Sequence, residues 1–559
     1  MSGDYDAIVV GSGAGGGACA WALATAGARV LLLEAGPEYI PERDYRLDKA
    51  DWEGLFPHKV PTAGRHIFAP MQQLDSKYDD LRSWNHLTGL YNPGMTRAAW
   101  AYHHVVGLGG STLHFTGEAH RLHPAAMRMH SRFGVAHDWP VTYAELEPFY
   151  VKAEQIVGVA GATDDPQRPR SAPYPLPPHR PSFASQRLGQ GFAALGLSWT
   201  PNPLAALTEP YDGRPPCNFC GGCLRGCPRR DKGSVDLTFI PKARATGRCE
   251  IRTEHTVTAL QAGNDDRVRG VHVVDPAGKS AMIEAAVVVV ACGAVETPRL
   301  LLNSVRPGGK RGIANESGQI GRNLTETLVW TSTGLHPEDL GSHRGHPVDS
   351  ICWDYNAPDA IEGVPGGCRF GPSNAESDLV GPVNHARRMV GGWGSQHKRR
   401  MRETFGHALS VAGIGESLPN DGTFVDLDPV ARDQAGQPLA RIHSRVDDLD
   451  RRRLAFMRDV CDAALDACGV PKVLERFSTY DIFSSTHVGG TCRMGADPET
   501  SVVDRNLRSH RWKNLYVVDA SVFPSSGGGE SPSLTINALA IRAGRHIVDW
   551  YKFGGSVPG

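Results

Sequence analysis

The residues of this sequence whose types and spacing could do chemistry fall into separate groups. The first is Gly11-Ser12-Gly13-Ala14-Gly15-Gly16, a G-x-G-x-x-G run that directly follows the apolar stretch Ala7-Ile8-Val9-Val10. Gly11 permits a tight turn, Gly13 lets backbone approach a pyrophosphate, and Gly16 lets a helix pack on a sheet. The free N–H groups and positive end of the following helix attract phosphate. A second apolar run, Val30-Leu31-Leu32-Leu33, ends on Glu34. That carboxylate can accept both ribose hydroxyls and disfavours a 2′-phosphate. Strand, turn, helix, strand and acid in register predict dinucleotide binding. The motif alone does not separate FAD from NAD, but its place at the start of the chain leans to FAD.

The second group is Cys217-x-x-Cys220-x-x-Cys223-x-x-x-Cys227-Pro228. This is the spacing of a bacterial ferredoxin ligand run, in which short loops let thiolates converge on one face of a cluster. With a single run, the expectation is a three-iron cluster, or a four-iron cluster completed by Cys227 or a distant cysteine. Zinc suits the pattern less well, because zinc ribbons use separated cysteine pairs. A disulfide in an oxidising compartment and a plain loop without metal are the other readings. A cluster passes electrons singly, whereas a flavin takes two. The combination points to a dehydrogenase that hands electrons to a cytochrome or quinone rather than to oxygen.

These groups need elements to hold them. The chain has 559 residues, enough for several domains or two large interleaved lobes. Lys and Arg total 59 against 60 Asp and Glu, so charge gives no reason to expect a nucleic-acid or membrane-surface partner. The apolar run Val287 to Ala291 is too short to span a bilayer. No basic segment precedes the first apolar strand, which predicts a cytoplasmic protein. Export beside a signal-bearing partner, to the periplasm or a membrane surface, is the alternative. The 12 cysteines are too few for a disulfide scaffold. Ala18 to Ala26 reads as a helix, and 40–100 as a long irregular excursion. Thr142 and Glu145 form a capping box that opens a helix. Proline-rich 163–182 reads as a linker. Glu250 to Asp275 and Ala281 to Val290 read as strands, and Thr297 to Ser304 as a helix with proline near its start. Phe424 to Leu427 and Ala440 to Ile442 suggest an antiparallel pair. Leu454, Met457, Cys461, Ala464, Leu465 and Cys468 follow helical spacing. Cys292 and Cys492 read as buried packing residues.

Several separated segments together resemble the glucose–methanol–choline (GMC) flavoprotein oxidoreductases. The first strand–helix–strand unit resembles their FAD fingerprint, and Gly107 to His114 the turn under the flavin ring. Gly293-Ala294-Val295-Glu296-Thr297-Pro298-Arg299 and the residues to Ser304 resemble a family signature whose closing glycine is Val305 here. Gly321 to Leu324, His487 to Gly495 and Asn514 to Pro524 complete a set that spans nearly the whole chain. Within the family, Trp139 to Tyr150, Tyr211 to Pro215 and the cysteine run look closest to bacterial sugar and polyol dehydrogenases. Some long-chain alcohol oxidases carry a comparable cysteine run.

The resemblance implies an α/β fold: a Rossmann-type FAD lobe built from discontinuous segments, with a substrate lobe carrying an antiparallel sheet. The FAD lobe is expected over 1–160, 236–328 and 479–559. The linker and cysteine loop occupy 161–235, and the substrate lobe 329–478. FAD contacts are implied at Gly11, Gly13, Gly16, Glu34, Gly109, Gly110, Ser111, His114, Val257 and Asp519. Some members link the flavin covalently to a histidine at the place of His114, although non-covalent FAD is the favoured reading. Alcohol oxidation needs a base for the hydroxyl proton and a carbon placed over flavin N5 to pass a hydride. Histidine suits the base, and the family places it at His487. The second catalytic position, usually Asn or His, is Ser531 here. Serine is shorter but still donates or accepts a hydrogen bond. Glu530, or a water on Ser531, is a candidate to take over that role.

The expected activity is FAD-dependent oxidation of a primary or secondary alcohol group of a sugar, polyol or related molecule. Electrons pass to an acceptor, a cytochrome or small subunit, with the cysteine run (Cys217, Cys220, Cys223 and Cys227) as the candidate iron–sulfur relay. The alternatives are an oxygen-using alcohol oxidase with an empty cysteine loop, a lyase on the same scaffold, and a flavin-carrying electron-transfer subunit.

Overall fold

A computed structural model describes residues 5–48, 66–69, 71–82, 96–98, 104–163, 165–306, 312–374 and 379–552. The first strand, β1 (Tyr5–Val10), leads through the glycine turn into helix α1 (Ala14–Thr25) and strand β2 (Val30–Leu33). β1 pairs in parallel with β2 on one side and with Ser280–Val290 on the other, so that Val10 lies between Leu33 and Val290. Beyond β2 the sheet adds Cys249–Arg252 in parallel. Beyond Ser280–Val290 it turns antiparallel through Val268–Val274 to Thr256–Ala262. Leu515–Val517 pairs in parallel with the end of Ser280–Val290, returning the C-terminal part of the chain to the first sheet. The unbroken apolar runs of these strands follow from burial on both faces. On one face, α1 is covered by the C-terminal helix Ser533–Lys552, whose Gly544 sits against Ala22.

A second sheet is antiparallel, in the order Cys368–Pro372, Ala408–Gly415, Leu328–Leu335, Val473–Ser478. Helix Asp448–Ala467 backs it, burying Leu454, Met457, Cys461, Ala464 and Leu465 as their spacing requires. The expected pair near Gly436 forms as Phe424–Arg432 against Pro438–His443. His66–Phe68 adds a third strand in parallel. The capping box is also present. Thr142 N–H donates to Glu145 Oε2 at 2.8 Å, and Glu145 N–H to Thr142 Oγ1 at 3.3 Å, starting helix Tyr143–Val157.

Two helices begin earlier than their composition suggests. α1 starts at Ala14, not Ala18, because Gly15 and Gly16 enter the helix and close on the sheet. Pro298 lies inside helix Gly293–Asn303 rather than at its start. Asp519 Oδ2 accepts the Gly293 N–H at 2.9 Å and anchors that earlier beginning. The linker 163–182 holds no helix or strand in its described part and ends at helix Phe183–Ala194. Much of the 40–100 excursion lies outside the described residues. Among the described residues no helix is long and apolar enough to cross a membrane.

Candidate active site

A cavity of about 810 Å³ runs from the β1–α1 turn to the antiparallel sheet. Its dinucleotide end is lined by Gly11, Gly13, Glu34 and Val257, and its far end by Thr327, Phe477, His487 and Ser531. Sequence-distant candidates therefore share one enclosure.

The glycine turn leaves no room for side chains. Gly11 has φ +91°, and a Cβ there would stand 2.5 Å from Ala291 O. A Cβ on Gly16 would meet Gly11 O at 1.8 Å, so that glycine sits in the packing contact and does not line the cavity. Gly13 caps α1 without a side-chain hydrogen bond, and Gly13, Ala14 and Gly15 all face the cavity. Unpaired N–H groups at a helix start beside open space fit a pyrophosphate. The second glycine turn closes from the other side. A Cβ on Gly110 would come within 2.8 Å of Gly13 Cα, and Ser111 beside it lines the cavity. Gly109 stays behind the wall, at φ +110°, donating its N–H to Ser12 Oγ at 3.0 Å.

Glu34 is buried at the end of β2. Its Oε2 accepts Ser12 Oγ–H at 2.6 Å and Ser12 N–H at 3.1 Å, and its Oε1 accepts Gly36 N–H at 2.9 Å. Burial pushes its pKa up, against those hydrogen bonds. Asp519 lines the cavity too, held by Thr297 Oγ1–H at 2.6 Å and Ser521 N–H at 2.8 Å. Cys292, expected to be a packing residue, is half-buried and lines the cavity, whereas Cys492 is fully buried. These groups form a polar cradle with helix N–H groups at one end and a carboxylate at the end of β2, and they fit FAD.

At the far end, His487 N–H donates to Thr327 Oγ1 at 2.7 Å, which fixes the loop that carries the imidazole. Burial, and then the Arg369 guanidinium, push the His487 pKa down to about 4, while Glu118 opposes them. The ring is thus neutral and able to accept a proton. Ser531 faces the same cavity, and its backbone N–H donates to His120 Nδ1 at 3.0 Å. Glu530 does not face the cavity. It accepts His123 N–H at 2.9 Å and Arg168 Nη2–H at 3.0 Å, turned away from His487.

His114 lines the cavity, with Nδ1 on Leu224 O at 2.8 Å. A carbonyl only accepts, so Nδ1 carries a proton and donates it there. Leu224 belongs to the cysteine loop, which is thereby tied to the flavin-side turn. Lys232 strengthens that tie by donating to Leu113 O, Phe115 O and Cys223 O at 3.0, 2.9 and 2.8 Å.

The thiols of this loop lie near one another, close enough for Cys217, Cys220 and Cys227 to act on Cys223, and they have further neighbours. Cys223 Sγ lies 3.7 Å from His346 Nε2, and the Phe219 N–H meets Cys217 Sγ at 3.4 Å. Burial pushes Cys217 up to about 12 and raises Cys220, Cys223 and Cys227 as well. Among the described residues no group of three or more His, Cys, Asp or Glu side chains is arranged to hold a metal ion. The cluster assignment therefore rests on the spacing of the cysteines.

Sequence reasoning missed the wall opposite His487. Glu118 with His120, Asn202 and Arg369 come from three separate segments without a motif, and only folding joins them. Arg369 Nη2 donates to Glu118 Oε2 at 2.5 Å, and Asn202 Nδ2 to Glu118 Oε1 at 2.9 Å. His120 Nε2 meets Asn202 Oδ1 at 2.7 Å.

Comparison with known proteins decides the lineage. Models of the GMC oxidoreductase family match residues 176–329 and 419–540, and an NAD(P)-binding Rossmann-like model matches 9–40. The 6'''-hydroxyparomomycin C oxidase of Streptomyces lividus is 30% identical over 97% of this chain and 91% of its own. The chain belongs to the GMC oxidoreductase family. This GMC oxidoreductase is also 29% identical to the 2-methyl-1,2-propanediol dehydrogenase of Mycolicibacterium austroafricanum, over 97% of this chain and 95% of that one. Identity to the fructose dehydrogenase large subunit of Gluconobacter japonicus is 27%, over 98% of each chain. Formate oxidase from Aspergillus oryzae shares the fold, with a TM-score of 0.64 at 16% identity over 98% of each chain. The family makes the protein an FAD-dependent oxidoreductase with a mixed α/β, Rossmann-containing fold.

Proposed function

We propose that this chain oxidises an alcohol group of a sugar, polyol or related small molecule, with His487 as the base. The observation that carries the reading is a single cavity joining the dinucleotide cradle to His487 and Ser531. Relatives named for diol and sugar oxidation support the substrate class. Gly11, Gly13, Glu34, Gly110, Ser111, Val257 and Asp519 hold the cofactor, with Gly16 and Gly109 shaping the turns behind them. Bound FAD supplies the two-electron acceptor. His487 is neutral and takes the hydroxyl proton at its ring nitrogen. Ser531 offers a hydroxyl to orient the alcohol oxygen. His114 packs beside the cofactor with its Nδ1 held by Leu224 O, and non-covalent attachment is the reading we adopt.

An alcohol panel added to the holoenzyme without oxygen tests the reading. At least one member should bleach the flavin band, and H487N should slow that bleaching by ~10²- to 10⁴-fold. A flavin that no alcohol reduces, in a protein fully loaded with FAD, would sink it.

The electrons leave for an acceptor, which we assign to a separate protein or a quinone. The name of the fructose dehydrogenase large subunit supports a multi-subunit arrangement. The iron–sulfur assignment to Cys217, Cys220, Cys223 and Cys227 rests on spacing alone, and no electron step is routed through those thiols. Iron and acid-labile sulfide per FAD, on protein purified without oxygen, decide it: ~3 or 4 irons for a cluster, none for a structural loop. An oxygen-using oxidase is the second reading, favoured by the oxidase relative at 30% identity. Peroxide formed in air at the rate of substrate oxidation would bring it forward.

A further inference from the structure

The buried ring opposite His487 contains more than packing requires. Arg369 Nε donates to Gly529 O at 3.0 Å and its Nη2 to Glu118 Oε2 at 2.5 Å. Glu118 Oε1 takes Asn202 Nδ2–H, Asn202 Oδ1 meets His120 Nε2, and His120 Nδ1 takes Ser531 N–H. The hydrogen bonds close on the segment 529–531 from both ends. Glu118, His120, Asn202, Arg369 and Ser531 are all buried. Of these, only Glu118 and Ser531 line the cavity.

Glu118 is thus a carboxylate fixed in place by one donor on each oxygen. An ionised carboxylate offers roughly four acceptor sites, so capacity remains on the cavity side. We infer that Glu118 is a specificity-determining residue that accepts a second, neighbouring hydroxyl of the substrate while His487 takes the proton of the reacting one. The substrate class is then a vicinal diol or polyol rather than a simple alcohol. The inference rests on the proposed alcohol oxidation at His487.

Charge selects a hydroxyl over an ammonium. Arg369 already neutralises Glu118, so a cationic substrate group would bring uncompensated charge into a buried site, whereas an O–H donor brings none. The proximity of Glu118 to His487 also shows in its electrostatic influence on the imidazole. Val329, Ile414 and Phe477 complete this end of the cavity with apolar surface for the carbon skeleton.

The test compares 1,2-propanediol with 1-propanol on the FAD-loaded enzyme, reading flavin bleaching without oxygen. The wild type should favour the diol in kcat/KM by ~10-fold or more, and E118Q should bring the ratio to within ~3-fold of unity. A wild type without diol preference overturns the inference. So does an E118Q enzyme that keeps the wild-type ratio while both rates fall, which would make Glu118 a structural support. FAD content is measured on each variant. If E118Q does not retain FAD, E118D replaces it and should show a lowered ratio. An E118D ratio equal to the wild type's overturns the inference. A second measurement is independent of turnover: H487N holoenzyme titrated with each alcohol, read from the flavin band shift. Tighter diol binding supports Glu118 recognition even if no alcohol is oxidised, and equal binding overturns it. Failure of the base reading and failure of this inference are therefore separable.

Discussion

The backbone N–H of Ser531 donates to Nδ1 of His120 at 3.0 Å, so a buried imidazole supports the residue proposed to orient the alcohol oxygen. His120 is 1% exposed, and its other nitrogen is used by Asn202. It therefore acts through Ser531 as a positioning residue. His120→Leu removes an acceptor and a donor at once and strands the Ser531 N–H and Asn202 Oδ1. The expected cost is ~2 kcal/mol of stability, measured by denaturant unfolding of the FAD-loaded protein. His120→Gln, which can still bridge the two, should recover part of it. Equal stability of wild type and His120→Leu would remove His120 from this role.

The same histidine sets an acid limit. Burial, and then Arg369, hold its pKa down at about 3, against 6.5 for a free histidine. The unfolded chain takes up a proton below pH 6.5, and the folded chain does not until about 3. Stability is thus complete above pH 6.5 and falls as pH drops through that window, by at most ~1.4 kcal/mol per pH unit from this group. Replacing His120 by Gln should flatten the slope of stability against pH between 6 and 4 by about one proton's worth. An unchanged slope would show that His120 is not held neutral.

His487 obeys the same sign but is read in rate. A neutral base is needed, and its pKa is lowered to about 4 by burial and by Arg369. The acid limb of kcat/KM should therefore fall near pH 4, well below the limb at 6.5 that an ordinary histidine would give. Removing the cation with Arg369→Met should move that limb upward. A limb that stays in place in Arg369→Met, with FAD still bound, would show that the guanidinium does not act on the imidazole.

Glu34 and the glycine turn were legible because their chemistry depends on local spacing. β1, the turn, α1, β2 and the acid lie within the first 34 residues, and the structure only lengthens the helix toward the turn. His487, His114 and Asp519 were legible through family segments rather than through physics. Glu118, Asn202 and Arg369 were not, because their hydrogen bonds connect residues 84 and 251 positions apart. No periodicity encodes such a meeting. The cysteine spacing carries the cluster assignment by itself. The folded loop keeps Cys217, Cys220 and Cys227 near Cys223, whose sulfur also meets His346 and whose carbonyl accepts from Lys232.

Lys232 supplies the remaining prediction. It is 1% exposed, and its ammonium donates to Leu113 O, Phe115 O and Cys223 O. Two of those carbonyls belong to the turn that carries His114 and the third to the cysteine loop, so one charge pins the loop against the cofactor side. Burial lowers the lysine pKa, and the carbonyl oxygens offset part of that cost as acceptors. Lys232→Met keeps the stem's packing and strands all three carbonyls. It should destabilise the protein by ~3 kcal/mol and lower FAD retained per chain after gel filtration, read from the ratio of flavin to protein absorbance. Lys232→Arg, with a wider and flatter head, should not restore retention, because the three oxygens surround a compact point charge. If Lys232→Met folds with full FAD and wild-type stability, the cysteine loop is held by other contacts and the clamp is dispensable.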